Sequence, residues 1–199
     1  NALKSRLRVL ESLFGIDFEN VDWDAVVSPQ GLLLDSSGGA ATEWLAEGLS
    51  RRGLDTIEVS SRLDPINQDC GAGDFSPTAK WSIEELLMDE SHHRLLWTIT
   101  QRLEGNEGVP PWEPGQIIGA ALDGDGDRCL LIEATAEGLQ IVDGDRMCDE
   151  IIRAGIETHS GAWKMAASIE SDLGLTADLP RLGQHESITT AVGDRWLSA

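Results

Sequence analysis

The chain has 199 residues, of which 41% are hydrophobic, and it carries a formal net charge of −20. This charge argues against a nucleic-acid partner, because a phosphate backbone selects lysine and arginine. No run of eighteen apolar residues is present, which excludes a membrane-spanning helix, and no apolar signal segment begins the chain, so a cytoplasmic protein is expected. The three widely spaced cysteines argue against a disulfide framework or a zinc knuckle and predict buried free thiols.

The first third of the chain predicts a helix, a connector and then a parallel α/β unit. Apolar residues at helical spacing predict a short amphipathic helix over residues 3–14, so residues 1–27 form an N-terminal helix and connector. The segment GLLLD (31–35) predicts a buried strand, residues 42–52 a helix and TIEVS (56–60) a second strand. This order is typical of a parallel sheet with helices on its faces. Gly38 and Gly39 are expected to form a plain strand-to-helix turn, because the spacing of a phosphate-binding loop is absent.

The middle of the chain contains two predicted loops on either side of a helix. Residues 61–80 are rich in proline and glycine and predict a loop, and apolar residues from 82 to about 103 predict a helix with a break near residues 89–92. His92 and His93 are adjacent and therefore point to different sides of a helix, which makes them a poor metal pair. We expect both at the surface. Residues 104–115 form a second loop before the next strand.

The most informative segment is the apolar strand that ends in three aspartates, Asp123, Asp125 and Asp127, separated by glycines. Residues two apart on a regular strand lie roughly 6.6 Å apart, whereas the ligand atoms around a small divalent cation lie within about 4.2 Å of one another. The intervening glycines permit the curved backbone that brings the carboxylates together. Three protein ligands leave coordination positions for water or phosphate, as is usual for Mg²⁺. The following Arg128 offers a planar fork for a phosphate oxygen pair.

After this loop the sequence predicts a hairpin and then the beginning of a second domain. CLLIEA (129–134) and LQIV (139–142) predict a hairpin, a helix is expected to begin near Asp145, and residues 157–161 form a linker. Residues 164–169 and 187–192 predict two further strands. We therefore predict a three-layer α/β/α domain over residues 28–158, with a mixed sheet and helices on both faces. Residues 160–199 are expected to be the truncated start of a second, similar domain.

Three motifs in the same order resemble those of the α-D-phosphohexomutases, which include phosphomannomutase/phosphoglucomutase and phosphoglucosamine mutase. Asp123 to Arg128 matches the family's metal-loop pattern D-G-D-x-D-R, residues 142–145 match V-D-G-D, and residues 192–196 match V-G-D-R-[YW]. Together they cover roughly residues 28–199, as the family's second domain and the start of its third.

The resemblance implies a phosphosugar mutase that uses Mg²⁺. In the family, a phosphoserine on the first domain transfers its phosphoryl group to the sugar, and the metal loop holds Mg²⁺ against that phosphoserine. By position, the resemblance assigns the metal ligands to Asp123, Asp125 and Asp127. It assigns Arg128 to a phosphate or sugar contact, and it places the segment Gly193, Asp194 and Arg195 near the substrate.

The chain also departs from the family pattern. The phosphoserine motif T-A-S-H-N-P and the sugar-reading loop G-E-x-S-G-H are absent from these 199 residues, and no fourth, phosphate-binding domain is present. The second domain is also longer than is usual in the family, with an enlarged region between Ser61 and Gln116. The expectation is a fragment of a longer mutase that is inactive alone and whose partners are a hexose phosphate and the missing domains of the same polypeptide.

Two other classes share part of the aspartate pattern. A phosphatase of the haloacid-dehalogenase type also has two aspartates after an apolar strand, with the first as nucleophile, but Asp127 stands where threonine or valine belongs. A calcium-binding EF-hand loop that began at Asp123 would need glycine at position six and glutamate at position twelve. Arg128 and Ala134 occupy those positions, so that pattern fails.

Overall fold

The computed structural model describes residue 11 and residues 20–88, 92–158, 161–183 and 185–192. The chain divides into two compact units, one of residues 22–144 and one that contains the described residues from 145 onward. The predicted helix over residues 3–14 lies outside the described residues, apart from residue 11. None of the helices in the described ranges is long and apolar enough to cross a membrane.

The first unit is built on a mixed sheet of six strands in the order β2-β1-β4-β5-β6-β3. Their bounds are Leu32–Asp35 (β1), Thr56–Glu58 (β2), Lys80–Ser82 (β3), Ile117–Leu122 (β4), Cys129–Ala134 (β5) and Gly138–Val142 (β6). Strand β1 pairs in parallel with both β2 and β4, whereas β4, β5, β6 and β3 pair antiparallel. The predicted parallel unit and the predicted hairpin are both confirmed.

Helices cover both faces of this sheet, as predicted. They are Trp23–Val26 (α1), Trp44–Ser50 (α2), Ile83–Leu87 (α3) and Arg94–Gly105 (α4). Strand β1 shows why two helical layers form, because its side chains alternate between the faces. Leu33 is buried in a cluster with Leu95 and Ile99 of α4, whereas Leu34 is buried in a cluster with Ala46 of α2. A strand with apolar residues on both faces needs cover on both, which gives three layers.

The region predicted as one broken helix contains two helices preceded by a short strand. Helix α3 ends at Leu87 and α4 begins at Arg94, with residues 89–91 outside the described ranges. The strand β3 was not predicted. It has only three residues and pairs at the edge of the sheet with β6, so it is too short to show a period of two in the sequence.

Helix α3 begins with a reciprocal hydrogen-bonded cap, and this cap gives the first testable prediction. The hydroxyl of Ser82 accepts from the amide of Glu85 at 3.1 Å, and the carboxylate of Glu85 accepts from the amide of Ser82 at 2.7 Å. We expect Ser82→Ala to lower the free energy of unfolding by about 1 kcal/mol, because the first turn loses its cap. Urea unfolding at pH 7 measures this loss.

The same cap has a defined pH dependence. Hydrogen bonds from the backbone and then the hydroxyl of Ser82 lower the pKa of Glu85 below its ordinary value. Its contribution is therefore full above the unfolded-state pKa and is lost as the pH falls through the folded-state pKa. We expect the difference between wild type and Ser82→Ala to shrink as the pH approaches that range. Ser76→Ala, which removes an exposed hydroxyl outside any helix, is the matched control, and an equal loss there contradicts the cap's role.

The second unit contains helix α5 (Gly144–Thr158) and the parallel strands β7 (Lys164–Ser168) and β8 (Glu186–Thr190). Between the strands lie α6 (Leu173–Asp178) and a 3₁₀ helix (Leu179–Leu182). Both predicted strands are confirmed. Cys148, Ile152 and Ile156 of α5 pack against a small core around Met165 and Leu175. The helix thus packs with the second unit, and the domain boundaries at residues 28–158 and 160–199 stay predictions.

All three cysteines are free thiols, as the sequence predicts. Cys70 is buried, and Cys129 and Cys148 are half-buried. Burial raises the pKa of each thiol above its usual range. At neutral pH each thiol is therefore less ionised than an exposed cysteine, and its reactivity as a thiolate is lower.

Candidate metal centre

The metal loop, defined as residues 123–128, joins β4 to β5 at one edge of the first sheet. Leu122 and Cys129 are the last residues that pair across the two strands. The amide of Gly126 donates to the carbonyl of Asp123 at 3.1 Å, and Gly126 has a φ of +78°, a conformation that glycine adopts without strain. The loop therefore turns back sharply at this glycine, as the sequence predicts for a loop that gathers its aspartates.

The carboxylates of Asp123, Asp125 and Asp127 converge in this loop. Each offers one oxygen, and these oxygens all lie within 4.8 Å of one another. That spread is slightly wider than the roughly 4.2 Å between opposite ligands of Mg²⁺. Asp123 is buried, with 5% of its surface exposed, whereas Asp125 and Asp127 are exposed. The site thus combines one fixed carboxylate with two that can rotate in solvent.

Asp123 is held in its ionised form by hydrogen bonds from the loop. Its Oδ1 accepts from the amides of Gly126 at 3.0 Å and Arg128 at 3.2 Å, and its Oδ2 accepts from Nε of Arg128 at 2.8 Å. Desolvation acts to raise the pKa of Asp123, but the hydrogen bonds from the side chain and backbone of Arg128 outweigh it and lower the pKa to about 2. A negative ligand is therefore available at every physiological pH.

Asp127 experiences the opposite effect. Repulsion from Asp125, and then from Asp123, raises the pKa of Asp127 above its ordinary value. Arg128 lies 3.9 Å from the Asp127 carboxylate and offsets this repulsion only in part, since the guanidinium is largely exposed. The loop therefore concentrates negative charge that a divalent cation would neutralise. Oxygen ligands of this kind, with two of three in solvent, fit a hard cation such as Mg²⁺.

Comparisons with known proteins identify the kind of protein that carries this loop. A curated phosphoglucosamine mutase from Citrifermentans bemidjiense is 38% identical over 180 residues, which is 87% of this chain and 32% of that protein. One from Methylocella silvestris is 28% identical over 194 residues, 92% of this chain and 34% of that protein. The chain is homologous to part of the α-D-phosphohexomutases. It spans about a third of the length of these curated relatives, and no family model matches it.

The fold agrees with this relationship. The crystal structure of Aspergillus fumigatus N-acetylphosphoglucosamine mutase, in complex with GlcNAc-6P and magnesium, matches 94% of this chain and 32% of its own with a TM-score of 0.52 at 18% identity. At that identity the match concerns the fold alone. The described chain therefore shares the α/β fold of that protein over most of its length.

The remaining predicted site residues fall into two groups. Arg128 lies in the metal loop, but in this structure its Nε is bonded to Asp123, so its contact with substrate stays a prediction. Gly193, Asp194 and Arg195 lie outside the described residues, and their assignment to the substrate stays a prediction as well. In the segment that matches V-D-G-D, Val142 is the last residue of β6 and Gly144 is the first residue of α5.

The turn after β1 has a role in the site that the sequence did not reveal. Because β1 and β4 are parallel neighbours, the loops at their carboxyl ends meet at one edge of the sheet. The amide of Ala40 donates to the carbonyl of Gly124 at 2.9 Å. A Cβ on Gly39 would lie 2.1 Å from that same carbonyl oxygen. The turn predicted as a plain connection therefore needs glycine at position 39, because the metal loop approaches it closely. In the sequence, the adjacent glycines were the one sign of this close approach.

The surface position predicted for both histidines is wrong for His93. His92 is exposed, but His93 is buried, with 6% exposed. His93 has extended backbone dihedrals and immediately precedes α4, so its ring is directed inward instead of following the helical spacing that was assumed. The ring packs on Phe75, with centroids 4.2 Å apart, and its Nε2 hydrogen-bonds with the carbonyl of Gly71 at 3.0 Å.

Proposed function

We propose that this chain is the metal-loop-bearing part of a phosphosugar mutase, in which Asp123, Asp125 and Asp127 bind Mg²⁺. The observation that carries the proposal is the convergence of these three carboxylates at the end of β4, in a chain homologous to phosphoglucosamine mutases. The donor set fits the metal, since all three ligands are hard oxygens and two of them are exposed.

When bound, Mg²⁺ would neutralise the charge on a phosphoryl group during its transfer. The residues of this chain supply the frame for that charge. Asp123 stays ionised and fixed by its three hydrogen bonds, while Asp125 and Asp127 face the solvent from which a phosphate approaches. Arg128 places a positive charge beside the same carboxylates and is proposed to contact the phosphate or the sugar.

The covalent part of the reaction is proposed to belong to residues outside this chain. The phosphoserine that exchanges its phosphoryl group with the hexose phosphate is proposed to lie on another domain of the same polypeptide, and the segment 193–195 is proposed to approach the substrate. We propose no covalent catalyst among the residues of this chain that the structure describes. We therefore propose that the chain is a fragment of a cytoplasmic isomerase of the phosphotransferase type and is inactive alone.

The loop sequence and the relatives of this chain argue against the phosphatase alternative. Asp127 stands where a haloacid-dehalogenase signature has threonine or valine. The curated relatives are phosphoglucosamine mutases. A beryllofluoride adduct on Asp123 would support the phosphatase instead.

The proposal is tested by assaying the 199-residue chain beside the full-length parent. Both are incubated with hexose phosphates, Mg²⁺ and a sugar bisphosphate activator, and the positional isomers are resolved by ³¹P NMR. We expect turnover by the parent that EDTA abolishes and Mg²⁺ restores, and none by the chain alone. Turnover by the isolated chain, or a parent whose activity withstands EDTA, contradicts the proposal.

A further inference from the structure

Asp35, the last residue of β1, is a carboxylate with no exposed surface. Its Oδ1 accepts from the amide of Ser37 at 2.9 Å, and its Oδ2 accepts from the amide of Gly71 at 2.8 Å. The two amides lie in different loops, far apart in the sequence. Burying a charge is costly unless hydrogen bonds compensate for the lost water. The two loops that this carboxylate joins explain its presence better than the packing of β1 does.

The two loops are also bonded directly to each other. The hydroxyl of Ser37 donates to Oδ1 of Asn67 at 2.6 Å, and the amide of Asn67 donates to the carbonyl of Ser37 at 3.3 Å. Ser37 and Asn67 have φ values of +61° and +58°. Such left-handed conformations are uncommon for residues other than glycine, and serine adopts them less readily than asparagine. The bonds to Asp35 and between the loops restrain these two residues.

Both loops contact the backbone of the metal loop at Gly124. From one side, the amide of Ala40 donates to the Gly124 carbonyl at 2.9 Å. From the other side, a Cβ on Gly124 would lie 2.6 Å from Cγ2 of Ile66 and 3.0 Å from Nδ2 of Asn67. The first glycine of the metal loop therefore lies in a slot between the two loops. A side chain on Gly124 would meet Ile66 and Asn67, and a side chain on Gly39 would meet Gly124.

The second loop also contacts the residue that precedes Asp123. A Cβ on Gly71 would lie 2.6 Å from the carbonyl oxygen of Leu122 and 2.5 Å from the hydroxyl oxygen of Ser37. Gly71 thus touches the end of β4, while its amide is bound by Asp35. The carboxylate, the two loops and the metal loop form one continuous set of contacts.

We propose that Asp35 is a positioning residue for the metal loop. Its carboxylate holds the loop of residues 36–40 and the loop of residues 66–71 together, and these loops fix the backbone that carries the three candidate ligands. This inference rests on the proposed metal site and deepens it. It also gives part of the long region between Ser61 and Gln116 a function, as one wall of the slot.

The test measures Mn²⁺ binding to the 199-residue chain by electron paramagnetic resonance, with Mn²⁺ as the probe for Mg²⁺. Asp35→Asn keeps the shape but leaves only one side-chain acceptor for two amides. Asn67→Gly removes the side chain that joins the loops, and glycine suits the φ of +58° at this position. We expect each variant to bind Mn²⁺ about tenfold more weakly. This is the lower end of the roughly 10- to 100-fold loss of affinity that is usual when a residue supporting the metal ligands is changed.

A stability control separates positioning from general weakening of the fold. Thr100→Val removes a buried hydroxyl that joins α4 to α3 through the carbonyl of Leu86 at 3.0 Å. We expect it to lower the urea midpoint without changing the Mn²⁺ affinity.

Wild-type Mn²⁺ affinity in both Asp35→Asn and Asn67→Gly overturns the inference and leaves the metal site intact. If Asp35→Asn does not fold, Asn67→Gly decides. A wild-type chain that binds no Mn²⁺, or an Asp125→Asn variant that binds it normally, overturns the metal site and this inference with it.

Discussion

Gly39→Ala is expected to lower the free energy of unfolding by about 1 to 3 kcal/mol, the usual cost of an added methyl group in a well-packed place, and to weaken Mg²⁺ binding. The new Cβ would lie 2.1 Å from the carbonyl oxygen of Gly124 and 2.7 Å from its carbonyl carbon. Both are backbone atoms, so no side chain can rotate away. The loop must move, and the hydrogen bond from Ala40 to Gly124 is lost with it.

The control for this prediction is the same substitution nearby in the chain. Gly48 lies inside α2, and a Cβ there would meet nothing within 4 Å. Gly48→Ala is therefore expected to raise the free energy of unfolding by about 0.5 to 1 kcal/mol, because alanine loses less backbone entropy in a helix. Urea unfolding and Mg²⁺ titration calorimetry measure both variants. A Gly39→Ala chain that unfolds at or above the wild-type midpoint contradicts the close approach.

The contrast between these glycines shows where sequence information ends. The strand, turn and helix of residues 32–50 follow from local signals: an apolar run, a glycine pair and helical spacing. The placement of β4 beside β1 does not, because more than fifty residues separate the end of β2 from the start of β4. The close contact of Gly39 with Gly124 depends on that placement. The sequence therefore placed Gly39 in a turn and Gly48 in a helix, but gave no reason to expect a backbone contact at Gly39.

The same distinction applies within the metal centre. The three aspartates lie in one short loop, so their convergence could be predicted from residue type and spacing alone. Asp35 at the end of β1, and Asn67 and Gly71 in the loop after β2, are proposed to position that loop, and only the folded chain brings them together. The surface position predicted for His93 was wrong for a similar reason. The prediction assumed helical spacing, whereas His93 precedes α4 with an extended backbone and hydrogen-bonds with the carbonyl of Gly71.

Asp127→Asn is expected to raise the melting temperature of the metal-free chain and to weaken its affinity for Mg²⁺. Repulsion from Asp125 and Asp123 raises the pKa of Asp127 in the folded state. For a carboxyl group with a raised folded-state pKa, the destabilising effect is absent below the unfolded-state pKa and full above the folded-state pKa. At pH 7 the variant lacks this repulsion, and its advantage should disappear as the pH falls and Asp127 of the wild type takes up a proton.

Excess Mg²⁺ should reverse the order of the two melting temperatures. A ligand that binds only the folded state stabilises it in proportion to the logarithm of its concentration over Kd. We expect the variant to bind at least about tenfold more weakly, since changes outside the ligand shell alone often cost roughly 10- to 100-fold. The wild type therefore gains more from Mg²⁺ than Asp127→Asn does.

Asp74→Asn makes the same change of charge at an exposed residue outside the metal loop and controls for the net charge of −20. If Asp74→Asn raises the metal-free melting temperature as much as Asp127→Asn, the repulsion is spread over the whole surface. If Asp127→Asn still melts at a higher temperature than the wild type in saturating Mg²⁺, Asp127 does not bind the metal. Only the crossing of the two curves supports a loop whose aspartates destabilise the metal-free fold because they are arranged to hold a cation.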